Sequence, residues 1–87
     1  MKYIFIHLIS KTGNYGFNEK SVHTLGCAAK HKDFKDFALN YAKTYYSGKR
    51  VTIDENTWSF NGNDVIVELF NYKEITEEEY SLLNKYL

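Results

Sequence analysis

The chain contains no proline and only one cysteine, Cys27. A lone cysteine cannot close an intramolecular disulfide. Secreted domains of this size are usually stapled, so a reducing, cytoplasmic compartment is expected. There is no repeat, linker or low-complexity tract among the 87 residues, which are expected to form a single domain, 1–87. No segment approaches the roughly 18 consecutive apolar residues of a membrane-spanning helix. The opening run, Met1 to Ile9, is broken by His7 and followed by Ser10-Lys11-Thr12-Gly13, with no small-residue cleavage site. It reads as a strand rather than a signal peptide. A phosphate-cradling loop is also missing, because Gly13 and Gly16 have no downstream lysine at a helix start.

What is abundant is aromatic. Eight Tyr, six Phe and one Trp make up 17% of the chain, and hydrophobic residues reach 44%. Large rings bury much area at low entropic cost, which suits both a small core and an interface. Formal charge is zero but unevenly spread. Residues 1–50 carry nine Lys/Arg against Glu19, Asp33 and Asp36, a balance of +6. Residues 51–87 carry Lys73 and Lys85 against eight carboxylates, a balance of −6. If the halves stay apart in space, this asymmetry would steer a charged partner to one side.

The pattern predicts an α+β domain in the order ββαβββα: a small antiparallel sheet, one main helix packed on a face, and a short C-terminal helix. The first strand spans about 2–10 and the second about 17–24, joined by the turn signal Gly13-Asn14-Tyr15-Gly16. Phe34, Phe37, Ala38, Tyr41 and Tyr45 fall on one stripe at helical period and predict the main helix over about 33–47, with Asp33 near its start and Gly48 after its end. Strands follow at 51–53, 57–60 and 65–70, the last two joined through Asn61-Gly62, a strong hairpin signal. Thr76-x-x-Glu79 is a capping box that announces the last helix, with Tyr80, Leu83 and Leu87 along one side.

Side-chain parity assigns the faces. A two-residue loop, whether Asn61-Gly62 or Gly62-Asn63, places Trp58, Phe60, Val65, Val67 and Leu69 together, with Ile4, Ile6, Leu8 and the main helix. The other face should show Tyr3, Phe5, His7, Ile66, Glu68, Phe70 and Tyr72, too apolar for ordinary solvated surface. Either the last helix covers it or a partner or second copy does.

No constellation carries chemistry. His23, Cys27 and His31 are spaced by four, but Gly26 interrupts the helix they would need, and a fourth ligand is missing. Nothing orients Cys27 as a nucleophile. Asp54, Glu55 and Asp64 sit in or beside turns, where carboxylates are common, and Glu77-Glu78-Glu79 caps a helix. No enzyme activity, cofactor, metal or small-molecule substrate is therefore expected. Tyr15-Gly16-Phe17 and Ile4-Phe5-Ile6 resemble the paired aromatic strands of the RNA-recognition motif, yet in that family a helix separates the two strands and here one turn joins them.

Lys outnumbers Arg ten to one, alongside eight Asn and eight Tyr. In size and residue style the chain resembles the small orphan proteins of phages and mobile elements, among them the anti-CRISPR inhibitors of host nuclease complexes. That resemblance implies stoichiometric occlusion of a larger protein or protein–nucleic-acid complex. A simple homodimer is the alternative partner, and no membrane partner is expected. Contact residues would come from Tyr3, Phe5, His7, Tyr15 and Phe70, with Asp54, Glu55, Asp64 and Glu68 set against a basic groove. The alternative is a single-stranded nucleic-acid-binding module. It would use Lys30, Lys32 and Lys35 near the helix start (beside His31), and Lys49 and Arg50 after its end, all near exposed rings.

Overall fold

In the computed structural model, residues 2–25, 34–62 and 64–87 are described. Their elements follow the expected ββαβββα order: β1 (Lys2–Thr12), β2 (Tyr15–Leu25), α1 (Phe34–Lys43), β3 (Arg50–Asp54), β4 (Thr57–Phe60), β5 (Val65–Ile75) and α2 (Glu77–Tyr86). The five strands form one sheet in the order β2-β1-β5-β4-β3, and every neighbouring pair is antiparallel. β1 is therefore interior although it comes first in the chain. Its alternation is strict: Ile4, Ile6 and Leu8 are fully buried, while Tyr3, Phe5, His7 and Ile9 between them are only partly so.

The first face of the sheet carries the core. Trp58 pairs with Val67 and Phe60 with Val65, so these four join Ile4, Ile6, Leu8 and Leu69 beneath α1. The Phe60–Val65 pairing is the register of the second of the two expected loops, so the expected face holds. The buried residues of α1 are Ala38 and Ala42, one turn apart, with Phe34, Phe37, Leu39 and Tyr41 partly buried around them. Small side chains at the centre let the helix axis approach the sheet, and the rings close the margins. Full burial of a large apolar side chain stabilises by about 1.5–3 kcal/mol. Stability thus rests on β1, β4, β5 and α1, whereas every residue of β3 is exposed.

α1 ends at Lys43 rather than continuing to 47. The Thr44 hydroxyl donates to the Asn40 carbonyl at 2.8 Å, the Tyr45 N–H to the Ala42 carbonyl at 3.3 Å, and the Arg50 Nη1–H to the Lys43 carbonyl at 3.1 Å. These bonds satisfy carbonyls that the helix end leaves unpaired. The segment that follows is tied to the β4–β5 turn by the Asn61 N–H, which donates to the Lys49 carbonyl at 3.0 Å. The predicted N-cap Asp33 lies outside the described residues, as do Cys27, Lys30, His31 and Lys32.

One irregularity resets the second face. β1 and β5 shift register between His7 and Leu8: Leu8 faces Leu69, His7 faces Asn71, and Phe70 is the extra residue. A β-bulge of this kind reverses side-chain parity beyond it. Tyr72 therefore pairs with Ile6 and packs on the core, contrary to the expectation that it shows on the second face. Ile75 takes the second face instead, opposite Tyr3, and is buried there. Thr76 accepts from the Glu79 N–H at 3.1 Å while the Glu79 carboxylate accepts from the Thr76 N–H at 3.0 Å, which completes the predicted capping box of α2.

Gly48 adopts φ +119°, a conformation L side chains rarely take, and a Cβ there would run into the Asn61 side-chain oxygen. Gly48→Ala is expected to destabilise the fold by about 1–3 kcal/mol, measured by denaturant titration. Asn61→Ala added to it should recover only the part due to the clash, because the backbone strain remains.

Candidate functional site

α2 covers one end of the second face only. Its Tyr80 ring lies 4.8 Å from the Tyr3 ring at 36°, above the Tyr3–Ile75 pair. None of the residues of α2 is itself buried; Leu82 and Tyr86, one turn apart, are 59% and 72% exposed. Beyond that end Phe5, His7 and Ile9 are half-buried and Phe70 is exposed. Phe5 and His7 stand in sequence on β1, with ring centroids 6.5 Å apart at 65°. The bulge places Phe70 against His7 at 4.9 Å and 63°, and leaves it 59% exposed. His7 Nε2–H donates to Asn18 Oδ1 at 2.8 Å, which fixes the imidazole between the two phenyl rings.

Register supplies the surroundings of this triad. Lys20 of β2 lies directly opposite His7, Lys73 of β5 opposite Phe5, and Lys11 follows Ile9 at the end of β1. All three lysines are exposed. Carboxylates share this face: Glu68 of β5 lies opposite both Ile9 of β1 and Thr57 of β4, Asp54 of β3 also pairs with Thr57, and Glu55 sits in the adjoining turn.

The sequence-derived contact residues are thus split. Tyr3, Phe5, His7, Phe70 and Glu68 share the second face, with Tyr3 under α2. Tyr15 pairs with Thr12 at the hairpin end, on the opposite parity, and is 73% exposed. Asp64 lies beyond the other end of β4 from Asp54 and Glu55. The basic residues of the alternative are divided too: Lys35 is in the first turn of α1, and Lys49 and Arg50 follow its last turn, about 15 Å along the axis. Arg50 is already engaged by the helix C-terminus. It borders an open groove of about 520 Å³, shared with Lys43, Tyr46, Gly48 and Phe60. Sequence reasoning missed Lys11, Lys20 and Lys73. Strand parity could have placed the first two, but the bulge hides Lys73.

A second set of rings serves the first face. His23 contacts Phe37 at 5.6 Å and Tyr41 at 4.5 Å, and rings continue through Tyr45 and Tyr46 to Phe60 at spacings of 5.8, 5.0 and 5.9 Å. Ser21 Oγ and His23 Nε2 are hydrogen-bonded at 2.7 Å. Burial holds the imidazole below its ordinary value of 6.5. Tyr45 is pushed up to about 12, chiefly by burial, then by the charge of Glu19 and a hydrogen bond to it. Such an aromatic seam fastens α1 to β2 and β4, and its last two rings, Tyr46 and Phe60, line the groove beside Arg50. Among the described residues no three His, Cys, Asp or Glu side chains are grouped to hold a metal ion, and no helix is long and apolar enough to cross a membrane. No family model, curated protein or solved structure matches this chain.

His23 predicts a pH dependence. Its folded value is depressed, so in acid the unfolded chain takes up this proton first. Stability should be flat above about pH 6.5 with respect to this group and fall as pH drops below it. Thermal midpoints measured from pH 8 to 5 should show that decline in the parent protein and a shallower one in His23→Gln.

Proposed function

We propose that this chain is a non-enzymatic binding protein that docks, through the bare half of its second sheet face, on a larger protein or protein–nucleic-acid complex and blocks it by occlusion. The observation that carries this reading is Phe70, an aromatic side chain more than half exposed at a bulge, beside the partly buried Phe5 and His7. A large ring left in water next to an apolar floor is the form that an interface anchor takes, and a few such residues usually supply most of the binding energy. Rigid strands hold all three rings, so little ordering opposes association. A cytoplasmic host nuclease complex is the partner class that the resemblance to anti-CRISPR proteins suggests. The single-stranded nucleic-acid reading is weaker in its original form, because Lys35 and Arg50 stand at opposite ends of α1.

Phe70→Ala tests the proposal with little risk to the fold, since an exposed side chain usually changes stability by no more than about 0.5 kcal/mol. Immobilised parent protein should retain a specific host protein from bacterial lysate. Phe70→Ala should weaken that capture by tenfold or more, as expected for an anchor worth about 2 kcal/mol. Equal capture by both forms, or recovery of the protein's own copies alone, would count against it.

A further inference from the structure

We infer that the groove at the C-terminal end of α1 binds a small phosphate ester with a planar ring, of the size and kind of a mononucleotide. Arg50 pairs with Phe60 on the first face, so this site lies across the sheet from Phe70 and is independent of the docking face. Its volume of about 520 Å³ falls within the range of about 300–1,000 Å³ usual for small-ligand sites. Two cations line it, Lys43 and Arg50, and no carboxylate does. The Lys43 carbonyl accepts from the Arg50 Nη1–H at 3.1 Å, which sets the guanidinium in place and leaves its other N–H groups for an oxyanion.

The chain between the two cations adds donors. Among the described residues no carbonyl accepts from the N–H groups of Tyr46, Ser47 or Gly48, so water or a ligand takes them. Ser47 adds its hydroxyl, whereas that of Thr44 already donates to the Asn40 carbonyl at 2.8 Å. The loop is also tied down: Gly48 at φ +119° lies against the Asn61 side chain, and the Asn61 N–H bonds the Lys49 carbonyl at 3.0 Å. Such ties shape the loop in advance, so little ordering opposes binding. Tyr46 supplies a ring wall, half-buried and tilted at 57° to Phe60 with centroids 5.9 Å apart. A base can stack on this ring or on the Arg50 guanidinium while its phosphate meets the cations.

Size and charge decide between phosphate-bearing ligands. A bare phosphate would leave most of the groove to water. A nucleic-acid strand would need cations that continue beyond it, and Lys35 stands at the other end of α1, about 15 Å along the axis. On the neighbouring strands, Glu19 is hydrogen-bonded to Tyr45, and Asp64 precedes Val65, the partner of Phe60. Both carboxylates oppose a polyanion that runs on across the sheet. No histidine, cysteine or carboxylate lines the groove, so it lacks the usual acid–base groups for turning a ligand over.

The test follows the amide spectrum of the ¹⁵N-labelled full chain during titration with adenosine monophosphate, and separately with adenosine and with inorganic phosphate. The nucleotide should shift the amides of Lys43, Tyr46, Ser47, Gly48 and Arg50, and bind about tenfold more tightly than either fragment. Lys43→Gln and Arg50→Gln should each weaken it about tenfold. Lys20→Gln, an equal loss of charge on the opposite face, should leave affinity unchanged, as should Phe70→Ala. Arg50 also caps α1, so if Arg50→Gln unfolds the chain, Lys43→Gln decides. Shifts elsewhere or none, either fragment binding as tightly as the nucleotide, unaltered affinity in Lys43→Gln, or an equal loss in Lys20→Gln would overturn the inference. So would tighter binding of a dT20 oligonucleotide through the same residues, which would make the groove part of a nucleic-acid track.

Discussion

The pairing of β1 with β5, and its one-residue offset at Phe70, governs the rest of the molecule. β1 is bonded on both edges, to β2 along its whole length and to β5 on either side of the bulge. Its inward residues are the centre of the core, so its register cannot slip without turning Ile4, Ile6 and Leu8 into water. β5 has more freedom, and spends it at Phe70. Up to Leu69 its apolar residues alternate with those of β4; past the bulge, Tyr72 turns inward and Ile75 outward. A single inserted residue thus serves both faces, closing the core with Tyr72 and giving α2 the buried Ile75 to sit over.

On the first face, size is graded. Ala38 and Ala42 bring the helix close, while Phe34, Phe37, Tyr41, Tyr45 and Tyr46 fill the widening space toward the margins. This grading explains why so small a chain holds so many rings. Five of them, Phe37, Tyr41, Tyr45, Tyr46 and Phe60, form the seam that starts at His23 and packs against the core. The abundance of aromatics, read as a total, pointed equally to core and interface; the tertiary structure separates Phe5, His7 and Phe70 from the others.

The second face is divided by the shortness of α2. Ten residues, seated over Tyr3 and Ile75, cannot also reach Phe70. The strand order keeps the two halves of the chain side by side, with β2 and β1 of the basic half on one side of the sheet and β5, β4 and β3 of the acidic half on the other. On the second face the signs mix at the seam, where Lys73 lies opposite Phe5 and Glu68 opposite Ile9.

The sequence by itself determined the element order, the core face and the caps, because these depend on short-range regularities. Alternation in residues 2–10, the helical stripe from Phe34, Asn61-Gly62 and Thr76-x-x-Glu79 each act within one element or turn. Either hairpin register, through Asn61-Gly62 or Gly62-Asn63, puts Trp58, Phe60, Val65 and Val67 on one face, since parity is insensitive to a shift of two residues. Only the tertiary structure decided that β1 is interior, that β5 bulges at Phe70, and that α2 stops short of the rings. A bulge leaves no periodic mark in a strand whose both sides are apolar, and the reach of a helix depends on where its first residue is anchored in space. Those three long-range facts, not the composition, set Phe70 in water against His7.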